Sequence, residues 1–185
     1  ITQHIVVEKQ GEYIRSGFPI VLLGAPNVGK SSILNSLTKR DVAIVSEVAG
    51  TTRDVIEIHL NLGGFSVTLS DTAGMREASN AIEAEGVRRA EQRAQDAALR
   101  LVVLDATDST LPEKVRALIT DECIVVVNKA DLLNGKYTGP ELPDEIVPIL
   151  VSAETGAGLE DLLARLTGHI RDRLETFEAP LPTRQ

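Results

Sequence analysis

The sequence has one cysteine, no tryptophan and few aromatic residues, which make up 3% of its 185 positions. A single cysteine excludes a disulfide or a cysteine-built metal site within the chain, and Cys123 lies in an apolar run, where a core position is expected. No apolar run approaches the roughly 20 residues that a membrane-spanning helix needs, and no signal peptide leads the chain. These absences predict a cytoplasmic protein without a membrane partner.

Basic residues and histidines are also scarce. Lys and Arg total 19 against 27 Asp and Glu, and the formal net charge of -8 disfavours a broad nucleic-acid-binding surface on this chain. The three histidines, His4, His59 and His169, are scattered among unlike segments. We therefore assign them no metal-binding or catalytic role.

The chain does contain apolar runs that alternate with helical segments. With 43% hydrophobic residues in 185 positions, it can bury one core. Strands are predicted at 18–23, 55–60, 65–70, 123–127 and 146–151, with another beginning at 99, and helices at 31–39, 81–95, 112–119 and 159–174. Residues 61–64, Asn-Leu-Gly-Gly, indicate a hairpin between the second and third strands. The predicted fold is α/β, with three α/β/α layers, a mostly parallel six-stranded sheet and one antiparallel edge strand.

The first functional motif is residues 24–31, GAPNVGKS, which fit the pattern G-x-x-x-x-G-K-[ST]. They lie between a predicted strand and a predicted helix, as this phosphate-binding loop requires. Glycines at both ends let backbone N–H groups face phosphates at the positive end of the helix. Lys30 can reach the β and γ phosphates, and the Ser31 hydroxyl can bind magnesium. The alternative, a loop of small residues with a solvated lysine, is disfavoured by this context.

The second motif, Asn-Lys-Ala-Asp at 128–131, follows another buried strand, at the edge where open α/β sheets bind ligands. Guanine offers two adjacent donors that the Asp131 carboxylate can accept together, whereas adenine offers no such pair. Asn128 can join this loop to the phosphate loop, and the aliphatic stem of Lys129 can lie over the base. A polar turn with local capping is the alternative interpretation. Beside the phosphate loop, the motif predicts GTP binding.

A third motif, Asp-Thr-Ala-Gly at 71–74, ends the third predicted strand. Asp71 is positioned to bind magnesium through water, and the Gly74 N–H can contact the γ phosphate. Asp-x-x-Gly is common in ordinary turns, so its significance comes from its order and spacing relative to the other two motifs.

Together these motifs resemble the translation-factor-like branch of the Ras-type P-loop GTPases. The resemblance implies a switch threonine, which falls in Gly-Thr-Thr-Arg-Asp at 50–54; we choose Thr52 as the magnesium ligand, with Thr51 as the alternative. It also implies a base-contacting loop at Ser152 and Ala153. Glu154 stands where relatives often have lysine, which leaves the base contact to the backbone and Ala153.

One departure from the Ras-type pattern concerns hydrolysis. Met75 follows Asp-x-x-Gly, where Ras-type enzymes have a glutamine that orients the attacking water. Methionine cannot orient a water, so hydrolysis must use another residue or a group from a partner, or be very slow.

A closer resemblance is to the G domain of MnmE (TrmE), the family of tRNA-modification GTPases. It is carried by DTAGMREA at 71–78, IE at 82–83, GVRRA at 86–90, GAPN at 24–27, AIVS at 43–46 and GTTRD at 50–54. The likeness covers nearly all 185 residues. Era and Der, GTPases of ribosome assembly, share the Pro-Asn and Gly-Thr-Thr-Arg-Asp features, but the segment from Arg76 to Glu83 favours MnmE.

The MnmE resemblance implies a potassium-activated hydrolase in which the ion replaces an arginine finger. The implied potassium ligands are Asn27, Ser46, Val48 and Thr51. Glu83 is implied as the catalytic acid that orients the attacking water through a second water, with Lys30 and Arg76 as further catalytic candidates. A solvated carboxylate on a charged helix is the alternative for Glu83.

The same resemblance implies partners. Two G domains are expected to meet across their switch regions as a GTP-dependent homodimer. Wobble-uridine modification in the family needs a folate-binding domain, a carboxyl-terminal cysteine motif and an MnmG-like flavoprotein, and tRNA contact is expected through other domains. We expect connecting segments at 1–16 and 176–185 around a GTPase domain at 17–175, and, because the chain begins with Ile, a fragment of a longer protein.

The predicted site gathers these assignments. The residues expected to bind GTP or GDP are Asn27, Val28, Gly29, Lys30, Ser31, Ser32, Gly74, Asn128, Lys129, Asp131, Ser152 and Ala153. The expected magnesium ligands are Ser31, Thr52 and Asp71. Three functional classes remain: a hydrolytic enzyme of tRNA modification, a nucleotide switch that recruits partners, and an ATP-using kinase or ATPase. The last is disfavoured by the guanine-selective motif at 128–131.

Overall fold

The computed structural model describes residue 13 and residues 17–40, 57–71, 97–120, 122–133, 137, 139–143 and 145–178. The predicted helix at 81–95, the first two residues of the strand predicted at 55–60, and most of both predicted connecting segments lie outside these residues.

A single six-stranded sheet is the centre of the described structure. Its strands are β1 (Phe18–Leu23), β2 (Glu57–Leu62), β3 (Phe65–Asp71), β4 (Leu99–Asp105), β5 (Cys123–Asn128) and β6 (Ile149–Leu150). They are arranged in the order β2-β3-β1-β4-β5-β6. β2 pairs antiparallel with β3 at one edge, and every other pairing is parallel. The predicted mostly parallel sheet with one antiparallel edge strand is confirmed.

The central strands carry apolar side chains on both faces because each face of the sheet packs into a hydrophobic core. Alternate residues of β4 belong to different cores: Leu101 and Val103 lie in one, Val102 and Leu104 in the other. This is the period of two expected when both sides of a strand are buried. The first core also contains apolar side chains of the helices that follow the phosphate loop and end the described chain.

In the described ranges the sheet is accompanied by the helices α1 (Lys30–Thr38), α2 (Glu113–Arg116) and α3 (Leu159–Glu178). α1 buries Ile33, Leu34 and Leu37 in the first core, whereas α2 contributes Val115 to the second. α1 and α3 therefore cover one face of the sheet and α2 the other, which gives the predicted three layers.

The hairpin between β2 and β3 turns more tightly than predicted. β2 continues through Leu62, so the turn consists of Gly63 and Gly64 alone, with φ of 61° and 95°. Positive φ at both central residues is the type I′ geometry that joins twisted antiparallel strands. The Asn61 Oδ1 accepts a hydrogen bond from the Gly64 N–H at 2.8 Å and closes the turn.

Three predicted elements are wrong in length. The helix at 112–119 is one turn, Glu113–Arg116, because Val115 is its only buried side chain and cannot stabilise a longer helix. The strand at 146–151 is reduced to Ile149–Leu150: Pro148 lacks the N–H that would extend the ladder, and the Ile146 N–H donates to the Pro143 carbonyl in a turn. Conversely, α3 ends at Glu178 rather than at 174.

No helix in the described ranges is both long and apolar enough to cross a membrane.

Candidate nucleotide-binding site

The predicted motifs meet at the carboxyl ends of the parallel strands. β1 leads into the phosphate loop, β3 ends at Asp71, β5 ends at Asn128, and Ser152 follows β6. Ligands of open α/β sheets bind at this edge, because the loops that leave neighbouring strands converge there.

The two motif glycines of the phosphate loop lie where no side chain fits. Gly24 has φ 148°, and a Cβ there would lie 2.3 Å from the Val103 carbonyl oxygen of β4. Gly29 has φ 95°, and its Cβ would lie 2.2 Å from Nδ2 of Asn128. Both glycines therefore allow the loop to approach neighbouring strands closely, in addition to supplying positive φ.

Lys30 begins α1 with its side chain turned back over the loop. It is 5% exposed, and its Nζ donates to the carbonyl oxygens of Gly24 at 3.1 Å and Ala25 at 3.0 Å. Burial lowers the pKa of Lys30, and the nearby Asp71 carboxylate acts in the opposite direction. No side chain caps α1, so the N–H groups at its start are not occupied by a capping side chain and can donate to phosphate oxygens.

The next pair is suited to magnesium. The Ser31 hydroxyl donates to Oδ2 of Asp71 at 2.5 Å, joining the start of α1 to the end of β3. Asp71 is 3% exposed, and its Oδ1 is buried without a hydrogen-bond partner among the described residues. A buried carboxylate oxygen without a partner is costly unless a cation or water binds it. A hydroxyl and a carboxylate are oxygen ligands of the kind that Mg²⁺ prefers, so these residues fit the ion.

Asn128 connects the phosphate loop to the loop that follows β6. It is 2% exposed, and its Nδ2 donates to the Val28 carbonyl oxygen at 2.9 Å. Its Oδ1 accepts a hydrogen bond from the Ala153 N–H at 3.0 Å. The predicted bond between Asn128 and the phosphate loop is confirmed, and the same side chain also orders the loop after β6.

The residues predicted to select the base, Lys129 and Asp131, follow Asn128 directly. Lys129 has φ 65°, and its Nζ lies 2.5 Å from Oδ2 of Asp105. Asp131 lies in a 3-10 turn, Ala130–Leu132, where it is exposed and has no hydrogen bond or ion pair with another residue in the described part of the chain. Its carboxylate is therefore accessible to a base, as the guanine-selective interpretation requires.

The loop after β6 is held from several sides. Ser152 is fully buried, and its Oγ accepts a hydrogen bond from the Thr155 N–H at 3.1 Å. The Ala153 carbonyl accepts a bond from the Ser36 hydroxyl of α1 at 2.6 Å. Because the Ala153 N–H already donates to Asn128, a base contact through this amide would have to share its hydrogen.

Asn27 lies on the outer side of the phosphate loop. It adopts a left-handed conformation with φ 65°, and its side chain is exposed and makes no hydrogen bond to any described residue. Val28, by contrast, is buried with 6% exposure. Ser32 is exposed in the first turn of α1.

Several predicted site residues lie outside the described residues. They are Ser46, Val48, Thr51, Thr52, Gly74, Arg76 and Glu83. Met75 lies there too.

Three residues of this region were not predicted from the sequence. Asp105 ends an apolar strand at the binding edge, so the rule that identified Asp71 and Asn128 could have identified it. Ser36 of α1 and Arg40, two residues beyond the helix, contact the loop after β6, where Arg40 donates to the Gly156 carbonyl oxygen at 3.2 Å. Nothing in their local sequence signals these contacts.

A cavity of about 280 Å³ lies at the amino ends of the strands, on the opposite side from the candidate site. It is lined by residues at the amino ends of β5 and β6, among them Cys123 and Ile149, with Arg165 of α3. Because these strand ends are opposite the converging loops, the cavity is separate from the candidate site.

Comparison with known proteins agrees with this geometry. A model of the family described as 50S ribosome-binding GTPase matches residues 19–129. "tRNA modification GTPase MnmE" of Maricaulis maris is 47% identical over 187 aligned residues, covering 98% of this chain and 40% of that protein. The MnmE of Paramagnetospirillum magneticum is also 47% identical, covering 98% of this chain and 41% of that protein. The chain thus spans about 40% of the length of these relatives.

Solved structures of GTPases share the fold. Aquifex aeolicus Era bound to GDP and AlF4⁻ superimposes with a TM-score of 0.63 at 27% identity, covering 81% of this chain and 56% of that one. Era in complex with MgGDPNP and a segment of 16S ribosomal RNA gives 0.62 at 30% identity, covering 81% and 55%. The predicted Ras-like P-loop fold and the MnmE resemblance are confirmed. The chain belongs to the family described as 50S ribosome-binding GTPase, and it is similar to a part of the MnmE proteins.

Proposed function

We propose that this chain is the GTPase domain, at 17–175, of a tRNA wobble-uridine modification protein of the MnmE kind, with connecting segments at 1–16 and 176–185. The observation that carries the proposal is the position of Asn128, whose side chain joins the phosphate loop to the guanine-selecting and Ser-Ala loops. The 47% identity to MnmE proteins over 98% of the chain supports the tRNA-modification role.

In this proposal the phosphate end of the site binds GTP through charges already in position. Lys30 and the uncapped first turn of α1 bind the β and γ phosphates, with Val28, Gly29 and Ser32 supplying backbone groups around them. On phosphate binding, the Lys30 ammonium group exchanges the Gly24 and Ala25 carbonyls for phosphate oxygens.

Ser31, Asp71 and Thr52 are the proposed magnesium ligands. The unpartnered Oδ1 of Asp71 and its bond to the Ser31 hydroxyl support the first two. When bound, Mg²⁺ neutralises charge on the phosphate oxygens. Thr52, and Gly74 as a donor to the γ phosphate, rest on the motif pattern alone.

The base end of the site selects guanine. Asp131 is exposed and accepts both donors of the base, and Lys129 covers the ring with its stem. Ser152 and Ala153 form the rest of the pocket, ordered by Asn128 and by the Ser36 hydroxyl. This arrangement discriminates against adenine, whose edge presents no matching pair of donors.

Hydrolysis in this proposal relies on groups other than a Ras-type glutamine, since Met75 occupies that place. Glu83 orients the attacking water, and Arg76 helps to order the same segment. Potassium stimulates the reaction, with Asn27, Ser46, Val48 and Thr51 as its ligands. The exposed Asn27 amide, which has no hydrogen bond to a described residue, supports the first of these ligands.

The proposed partners follow from the same likeness. Two copies associate through their switch regions when GTP and potassium are bound, which couples hydrolysis to closure and opening of the domains. An MnmG-like flavoprotein and tRNA bind through parts of the whole protein beyond this domain, in the cytoplasm. The chain's negative charge agrees with tRNA contact elsewhere.

A ribosome-assembly role is the second candidate. The matching family is described as 50S ribosome-binding, and one similar Era structure contains 16S ribosomal RNA. The Era structures are, however, only 27% and 30% identical to this chain, well below the MnmE relatives. This difference favours tRNA modification.

Hydrolysis in potassium and in sodium, across a range of protein concentrations, tests the proposed chemistry. Turnover that is faster in potassium and rises steeply with protein concentration would support a cation-assisted, dimerising hydrolase. Equal, slow turnover in both cations would contradict potassium stimulation and remove the support for Asn27 and Glu83.

The cellular role is tested by substituting Asp131→Asn in the full-length protein of its own organism and analysing nucleosides of total tRNA. We expect loss of the modified wobble uridines with normal ribosomal subunit profiles. Intact wobble uridines with accumulated precursor subunits would instead establish the ribosome-assembly alternative.

A further inference from the structure

The ion pair between Lys129 and Asp105 joins the ends of two neighbouring strands. Lys129 Nζ lies 2.5 Å from Asp105 Oδ2. In the parallel register of β4 and β5, Asp105 pairs with Asn128, the residue directly before Lys129. The lysine side chain therefore reaches across the binding edge from the end of β5 to the end of β4.

The Asp105 carboxylate is held in one orientation. Its Oδ1 accepts hydrogen bonds from the Thr107 N–H at 2.9 Å and the Thr107 hydroxyl at 2.7 Å, which leaves Oδ2 for Lys129. The Asp105 side chain is 14% exposed. Hydrogen bonds from Lys129 and Thr107 hold the pKa of Asp105 below its usual value, although burial alone would raise it.

Hydrogen bonds also fix the backbone around Lys129. Its φ of 65° is one that L residues rarely adopt, and its carbonyl accepts a bond from the Leu132 N–H at 3.0 Å. The next residue, Ala130, donates from its N–H to the Val151 carbonyl at 3.0 Å. With the backbone fixed at one end and the ammonium group at the other, the four-carbon stem has a defined path.

We propose that Asp105 is a positioning residue for guanine binding, which holds the Lys129 ammonium group so that the lysine stem forms one wall of the base pocket before nucleotide arrives. This inference rests on the proposed place of Lys129 beside the base. A lysine side chain that is already ordered loses less conformational freedom when the base binds, and such preorganisation raises affinity.

The chain offers a matched control three residues further on. Asp108 makes the same local turn, with its Oδ1 accepting bonds from the Thr110 N–H at 2.9 Å and the Thr110 hydroxyl at 2.7 Å. Asp108 is exposed and pairs with no lysine or arginine among the described residues. Asp108→Asn therefore removes the same charge from the same kind of turn without releasing Lys129.

The experiment measures dissociation of a fluorescent GDP analogue in stopped flow. Because ordering one long side chain accounts for the effect, Asp105→Asn should dissociate about three- to tenfold faster than wild type, and Asp108→Asn at the wild-type rate. Lys129→Met, which keeps an apolar stem but loses the ammonium group, should match Asp105→Asn. The double variant should be no faster than either single variant, because both changes break one interaction.

Two results would overturn the inference: equal rates for Asp105→Asn and Asp108→Asn, or single effects that multiply in the double variant. A merely structural Asp105 would lower the melting temperature of the nucleotide-free protein without such coupling. Lys129→Ala separates the proposed role of Lys129 beside the base from the proposed positioning role of Asp105. If it leaves GDP dissociation unchanged, the proposed base pocket fails; if it accelerates dissociation while Asp105→Asn does not, only the positioning role fails.

Discussion

The side-chain amide of Asn128 donates to the Val28 carbonyl oxygen at 2.9 Å, although the two residues are 100 positions apart in the sequence. Asn128 and Val28 are both buried, and the Asn128 Oδ1 accepts a hydrogen bond from the Ala153 N–H. One side chain thus joins the proposed phosphate-binding loop to the loop after β6, which is proposed to contact the base.

Asn128→Asp tests this connection with almost no change in shape. The substitution replaces the Nδ2 donor with an oxygen that faces the Val28 carbonyl, and a buried acceptor without its donor costs about 1–3 kcal/mol. We expect GDP affinity to fall about tenfold or more, measured by isothermal titration calorimetry. Asn35→Asp, on the exposed side of α1, is the control and should bind GDP normally.

Gly29→Ala tests whether the phosphate loop needs glycine for space as well as for φ. Gly29 and Gly64 both have φ 95°, but a Cβ at Gly29 would lie 2.2 Å from Asn128 Nδ2, whereas Gly64 has nothing within 4 Å. Backbone strain of about 1–3 kcal/mol should therefore affect both alanine variants, and the collision only Gly29→Ala. Urea unfolding should rank Gly29→Ala as the less stable; equal losses would contradict a steric role.

Asp131→Asn tests guanine selection at the exposed end of the 3-10 turn. The asparagine amide presents a donor where the guanine edge also presents donors, so GDP affinity should fall by about 100-fold or more. Xanthine nucleotides, with the complementary pattern, should bind better than they do to wild type. Competition assays measure both changes, with Asp108→Asn as the charge-matched control. Unchanged preference for GDP would exclude Asp131 as the base-selecting residue.

The sequence predicted which motifs meet at the carboxyl ends of the strands better than it predicted the lengths of some elements. Asp71, Asn128 and Ser152 come together because each follows a parallel strand, a rule that needs only strand positions. The lengths of α2 and β6 were wrong because they depend on how many side chains find partners and on the N–H that Pro148 lacks. The local sequence pattern does not show how many side chains will pack or where a strand will lose its hydrogen-bond partner.

Contacts between distant segments were missed for a related reason. The Ser36 hydroxyl reaches the Ala153 carbonyl across a sequence separation of 117 residues. Its partner is set by how α1 packs on the sheet, and a serine in the middle of a helix gives no sign of it. Asp105 differs, since its position at a strand end was visible, but its lysine partner depends on the register of β4 and β5.

His169, which lies outside the candidate site, should make the stability of the fold depend on pH. Burial lowers the pKa of His169, and Arg173 and Arg165 lower it further, while Asp172 and Glu122 act in the opposite direction. Between this lowered folded value and about 6.5, the unfolded chain binds more protons than the folded one, so stability is lost as pH falls through this window. Urea unfolding at several pH values should show a shallower loss for His169→Gln. An identical slope would contradict a lowered pKa for this half-buried histidine.

Asp71→Asn tests the proposed magnesium site. The Asp71 carboxylate is buried. Its Oδ2 accepts a hydrogen bond from the Ser31 hydroxyl, and its Oδ1 has no hydrogen-bond partner among the described residues. Loss of its charge should weaken magnesium binding about 10- to 100-fold, as for other groups that support a metal through water. In wild type, a chelator should therefore accelerate dissociation of fluorescent GDP, whereas in Asp71→Asn dissociation should already be fast and respond little. Asp108→Asn, which removes one negative charge from an exposed turn that makes no contact with Ser31 in the described residues, should keep the full chelator response. A wild-type response in Asp71→Asn would exclude Asp71 from the magnesium site.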